Sequence, residues 1–116
     1  VDSLQMVDAP LHTVAWGKVM SAAPMLVAAG KPGMRLATKN TWFMLHNVRA
    51  GMDEASSLDM RTYGEIMEQS MQRYADLLAE YSMMPKRFWS NMLRSRTDRY
   101  FTADEAEDYG LVDHVV

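Results

Sequence analysis

The clearest rhythm of apolar and polar positions lies in the middle of the chain. From Ser56 or Ser57 to about Met83, Leu58, Tyr63, Ile66, Met67, Met71, Tyr74, Leu77, Leu78 and Tyr81 recur at steps of three and four, with Glu65, Glu68, Arg73 and Asp76 between them. That spacing predicts a long amphipathic helix. Gly64 weakens it locally by about 1 kcal/mol relative to alanine. Its stripe of Met and Tyr suits a domain core and a subunit interface equally.

Upstream the rhythm is shorter. Leu4 and Val7, three apart, read as the last turns of a helix over residues 1–8 that ends near Ala9-Pro10, because the residue before proline is pushed out of the helical region. Leu11 to Trp16, with Thr13, Val14 and Trp16, suits a strand, and Gly17 permits a sharp change of direction. Ser21 then stands between a strand-like apolar run and the small-residue run Ala22 to Ala29, which reads as a buried helix with Pro24 in its first turn and Gly30 as its stop. Pro32-Gly33 is a turn, Met34 to Ala37 a short strand, and Thr41 to His46 a nearly continuous apolar run that suits a strand covered on both faces.

Asn47 to Glu54 reads as a loop or irregular strand. Beyond the long helix, Pro85 suits the first position of a shorter helix reaching about Arg94. Arg99-Tyr100-Phe101 is a short strand, and Thr102-Ala103-Asp104-Glu105 has the form of a capping box, with Thr102 as cap and Glu105 reaching back. The helix it opens, 103–108, should stop at Gly110, and residues 111–116 look like a last strand. The chain starts on Val1 within a helical pattern that has no cap before it, which reads as the C-terminal part of a longer domain.

Composition narrows the function classes. The 116 residues are enough for one small domain, and 12 Lys and Arg against 15 Asp and Glu leave no basic footprint for nucleic acid. No apolar run approaches the roughly 20 residues that span a bilayer. There is no cysteine, so disulfides, thiolate catalysis and thiolate metal sites are excluded. The 12 methionines are many for this length and suit irregular core or interface gaps.

The candidate chemistry starts at Ser21. A serine opening a helix has unpaired backbone N–H groups and the positive helix end beside it, and both favour an oxyanion; a plain N-cap serine fits the same position. His46 ends an apolar run, where a scaffold can hold an imidazole with one nitrogen accessible. With an aspartate these are the residue types of a Ser-His-Asp hydrolase. Residue chemistry alone leaves Asp53, Asp59, Asp98, Asp104 and Asp113 open.

The sequence resembles the proteolytic subunits of the Clp protease family over its whole length. The resemblance is carried by Asp2 and Gln5, by Gly17-x-x-x-Ser21-Ala22, by Ala28-Ala29-Gly30 and by Met44-Leu45-His46. It is densest in Asp98-Arg99-Tyr100-Phe101-Thr102-Ala103-x-Glu105-Ala106-x-x-Tyr109-Gly110-Leu111-Val112-Asp113. It implies an α/β fold of the Clp protease and crotonase type, a spiral of βαβ units with a handle helix over about 57–83, of which residues 1–116 are the C-terminal portion. It also implies Ser21 as nucleophile, His46 as general base 25 residues on, and Asp98 as the carboxylate that orients it.

By the same resemblance, the backbone N–H of Ala22 forms half of an oxyanion hole, whose other half comes in the family from a glycine-rich segment that this sequence does not contain. The segment from Asn47 through Arg49, Ala50 and Gly51 is the edge strand that pairs with an extended substrate. Asn47-Val48 replaces the family's Gln-Pro, and Arg96-Thr97 replaces an acidic-Arg pair before Asp98. The implied protein is a cytoplasmic or organellar serine endopeptidase, without cofactor or metal. It works as a homo-oligomer of two stacked heptamers on unfolded polypeptides delivered by an ATP-driven unfoldase of the AAA+ class. The rivals are a related peptidase with a lysine base, against which His46 and Asp98 count, and a ring subunit that keeps the triad without cleaving.

Overall fold

The structure, a computed structural model, describes residues 1–47 and 57–116. It has eleven elements: α1 (Asp2–Gln5), β1 (Thr13–Ala15), β2 (Lys18–Met20), α2 (Ala23–Ala28), β3 (Arg35–Ala37), β4 (Trp42–Leu45), α3 (Ser57–Tyr81), α4 (Lys86–Leu93), β5 (Arg99–Thr102), α5 (Ala103–Asp108) and β6 (His114–Val115). The strands form two sheets of three, β1-β3-β6 and β2-β4-β5. All pairs are parallel except β4 with β5. Parallel neighbours need a crossover, and here the chain makes it by alternating sheets: β1 to the first, β2 to the second, β3 to the first, β4 to the second.

The strand expected from Leu11 to Trp16 is β1, Thr13–Ala15, and a second strand, β2, follows it beyond Gly17. Gly17, at φ +81°, turns the chain out of β1 so that β2 begins in the other sheet. Only a residue without Cβ takes that conformation freely. Pro85 is the N-cap of α4 rather than its first residue, with an extended ψ of 160°. The capping box at Thr102 is complete, the hydroxyl accepting from the Glu105 N–H and the Glu105 carboxylate accepting from the Thr102 N–H.

The core lies against the inner face of the second sheet. Phe43 and Phe101, paired across β4 and β5, stack at 5.3 Å, and Trp89 of α4 covers them while its indole N–H donates to Ser82 Oγ at 2.8 Å. Met71, Ala75 and Leu78 bring the second half of α3 onto the same core. Ile66 in its first half is 49% exposed and Met60 58%, so the apolar stripe divides between core and open surface. β4 is covered on one face only. Phe43 and Leu45 are buried, whereas Trp42 is 50% exposed, because β4 alternates between the core and an outer face that also carries the exposed Tyr100. At the end of α5, Gly110 takes φ +77° and a Cβ there would stand 2.8 Å from the Met83 backbone nitrogen.

One ion pair fastens several of these elements. Arg35, on β3 and 7% exposed, donates Nε and Nη2 to the two carboxylate oxygens of Asp113 at 3.0 and 2.8 Å, and Nη1 to the carbonyls of Ala28 and Tyr81 at 3.2 and 2.5 Å. Asp113 Oδ2 also accepts the N–H groups of Gly33 and Arg35. The Arg35 guanidinium, with these backbone donors, holds the Asp113 carboxyl down to about 2 from 3.8. A carboxyl held low in the folded state contributes stability above its unfolded value and loses it as pH falls towards the folded one. Asp113→Asn should therefore be less stable than the parent at neutral pH, by about 3 kcal/mol if the arginine stays buried without its charge partner. The parent's denaturation midpoint should fall between pH 4 and pH 2 more steeply than that of the variant, as urea unfolding across that range would report.

Candidate functional site

Parallel pairing of β2 with β4 sets the register Met20 to Met44, and the Ser21 N–H extends it by donating to the Met44 carbonyl at 2.9 Å. The chain then leaves the sheet abruptly. Ser21 has φ +63°, making it the one non-glycine residue with positive φ among the described residues. The left-handed region costs an L-residue roughly 1–2 kcal/mol, so a serine is held there only by its surroundings. It is not the N-cap of α2: that position is Ala22, with an ordinary φ of −79°. The expectation of a helix-opening serine misses by one residue, because a cap and a left-handed elbow both suit a small polar side chain before a helix.

The turn brings the hydroxyl back towards β4. Ser21 Oγ lies 2.9 Å from His46 Nε2, and His46 Nδ1 lies 2.5 Å from the carbonyl oxygen of Asn47. A carbonyl only accepts, so Nδ1 carries the proton of the neutral ring. Nε2 is then the acceptor, and the serine O–H donates to it. That is the protonation pattern in which a hydroxyl faces a base. The Asn47 carbonyl thus holds the second ring nitrogen.

Asp98 directly precedes β5, as His46 directly follows β4, and the last register pair between these strands is Leu45 with Arg99. His46 and Asp98 therefore sit at the same end of one strand pair. The other aspartates sort differently. Asp113 is committed to Arg35, Asp104 lies in the first turn of α5 and Asp59 in that of α3. Asp53 lies outside the described residues, as does the expected substrate strand with Arg49, Ala50 and Gly51. Ala22, whose N–H was expected to serve an oxyanion, is exposed at the mouth of α2 beside the serine.

One contact went unforeseen. The Tyr74 hydroxyl, from α3, donates to the Ser21 carbonyl at 2.5 Å. In the sequence Tyr74 is one more apolar position in a helical stripe, and nothing in the spacing sets it apart. A cavity of about 860 Å³ lies elsewhere, lined among others by Gly30, Arg35, Tyr81 and Asp113, and includes neither Ser21 nor His46. Among the described residues no group of three or more His, Asp or Glu stands together as a metal site, and no helix is long and apolar enough to cross a membrane.

A family model described as Clp protease matches residues 1–116. The chain belongs to the Clp protease family. It is 32% identical over 117 residues to ATP-dependent Clp protease proteolytic subunit 3 of Frankia casuarinae, with 99% of this chain and 53% of that protein covered. It is 31% identical over 115 residues to proteolytic subunit 2 of Corynebacterium efficiens, covering 99% and 56%. To proteolytic subunit 1 of Streptomyces coelicolor it is 30% identical over 115 residues, covering 99% and 51%. The chain spans about half the length of these curated relatives. Within a Clp protease family chain, an elbow serine bonded to a histidine is the feature on which a function can be built.

The elbow has a measurable cost. Ser21→Gly should melt above Ser21→Ala by about 1 kcal/mol of stability, since glycine takes φ +63° without strain and alanine does not. Thermal unfolding of the two variants side by side would check this, and equal stabilities would mean that the backbone at this position relaxes.

Proposed function

We propose that this chain is the C-terminal portion of a Clp-type serine endopeptidase domain, with Ser21 as nucleophile and His46 as general base. The observation that carries this reading is the 2.9 Å contact between Ser21 Oγ and His46 Nε2, with Nδ1 already engaged by a backbone carbonyl. In the proposed reaction the hydroxyl attacks a peptide carbonyl carbon while its proton passes to Nε2. The tetrahedral oxyanion forms beside the Ala22 N–H. Nε2 then returns the proton to the leaving amine, and water releases the acyl group from Ser21 by the same steps. Asp98, at the same end of the β4–β5 pair, steadies the imidazolium from the neighbouring strand.

The remainder of the reading comes from the family. The alternation of the chain between two sheets fits a spiral of βαβ units, and the exposed first half of α3 fits a handle that contacts another subunit. By family resemblance, Arg49, Ala50 and Gly51, outside the described residues, are the candidates for binding an extended polypeptide. We place the chain in a stacked-ring homo-oligomer in the cytoplasm or an organelle, receiving unfolded polypeptide from an ATP-driven unfoldase. The relatives' own names record ATP-dependent proteolysis.

A fluorophosphonate probe tests the reading directly. Ser21 should be modified, as mass spectrometry of the labelled peptide would show. Ser21→Ala and His46→Ala should each reduce labelling by at least about a hundredfold, the scale of losing a nucleophile or its base. Labelling that survives His46→Ala would speak for a lysine base, and a fully assembled particle that stays unlabelled would speak for a non-catalytic ring subunit.

A further inference from the structure

We propose that Tyr74 is a positioning residue for Ser21: its hydroxyl, by holding the serine carbonyl, keeps the backbone in the left-handed conformation that aims Oγ at His46. The proposal rests on the serine peptidase reading and names a residue outside its triad. Three contacts fix Ser21. The N–H is held by the Met44 carbonyl of β4, the hydroxyl meets His46 Nε2, and the carbonyl accepts from Tyr74. The first two both come from one strand and its end. Tyr74 supplies the contact from a different side of the molecule, 53 residues further along the chain on α3.

A serine at φ +63° relaxes to an extended or right-handed backbone unless both flanking peptide groups are restrained, and rotation of the peptide plane after Ser21 swings the Cα–Cβ bond with it. The peptide N-terminal to Ser21 is locked in the sheet. The one C-terminal to it leads into α2, whose first turn has no side-chain cap. The phenol stands at that point. Its ring packs on the core, and its helix is anchored on both sides by buried Met71, Ala75 and Leu78. Burial pushes the Tyr74 hydroxyl well above its ordinary value, and the Met25 N–H offsets only part of this, so the group remains a donor across the working pH range. The phenol thus holds the Ser21 carbonyl at the mouth of α2, where the helix has no side-chain cap of its own.

The test compares Tyr74→Phe, which keeps the ring and deletes the donor, with Met71→Ala, which loosens the same helix without touching Ser21. Two quantities are read on the full chain: the fluorophosphonate rate at Ser21 per folded molecule, and the ¹⁵N resonance of His46 Nε2. Tyr74→Phe should slow labelling about five- to tenfold, the scale of one lost hydrogen bond. It should also move the Nε2 resonance towards its position in Ser21→Ala. Met71→Ala should label within about twofold of the parent with the resonance unmoved, and 3-fluorotyrosine at position 74, which retains the donor, should restore both. Labelling within about twofold and an unmoved resonance in Tyr74→Phe would overturn the proposal, as would equal slowing by Met71→Ala. If the parent itself is not labelled, the peptidase reading fails, and the Nε2 resonance alone decides Tyr74: a shift in Tyr74→Phe supports positioning, and none removes it.

Discussion

A buried guanidinium cannot lose its proton, so wherever Arg35 lies, acceptors must be brought to it. The fold is arranged around this demand. Two of the acceptors are carbonyls at the C-terminal ends of α2 and α3, where unpaired backbone oxygens and the negative helix ends favour a cation. The others belong to Asp113, whose own N–H donates to the Arg35 carbonyl at 2.7 Å and thereby starts the pairing of β3 with β6. One side chain thus fixes where two helices stop and where the last strand begins.

The consequence reaches the serine. α2 ends at the arginine and begins beside Ser21; α3 ends at the same arginine and carries Tyr74 two turns earlier. With both helices pinned at their far ends, the strained serine backbone is enclosed between a strand and two helices that cannot move independently. The His46 ring is fixed from the other side by continuity with β4, whose inner face is locked in the aromatic cluster of Phe43, Phe101 and Trp89. The outer face of the same sheet carries Trp42, Tyr100 and Met44 next to the Ser21–His46 contact. An apolar surface therefore adjoins the polar pair.

What was readable in the sequence was local. The capping box at Thr102, the turn at Gly17, the stop at Gly110 and the long stripe of α3 depend on neighbours within a few residues, and each is found where the pattern puts it. Ser21 and His46 were readable as candidates from their positions at the ends of apolar runs, and Asp98 only through resemblance. What escaped depends on partners far along the chain. Asp113 was one of five equivalent aspartates until β6 brought it to Arg35, 78 residues away, and Tyr74 was one of many stripe residues until α3 packed across α2. The half-exposed Trp42 shows the same limit: a continuous apolar run cannot reveal that one of its faces is left open by the chain itself.

The contact between Ser21 and His46 is made by strand register, Met20 beside Met44, and not by the 25 residues that separate them in sequence. Those intervening residues form α2, β3, β4 and their turns, and it is the pairing of β4 with β2 that decides which β4 residue faces β2. Sequence distance between the two groups is thus a record of what was built between them. A one-residue slip of β4 along β2, which leaves that distance untouched, would turn the imidazole to the opposite side of the sheet and dissolve the pair.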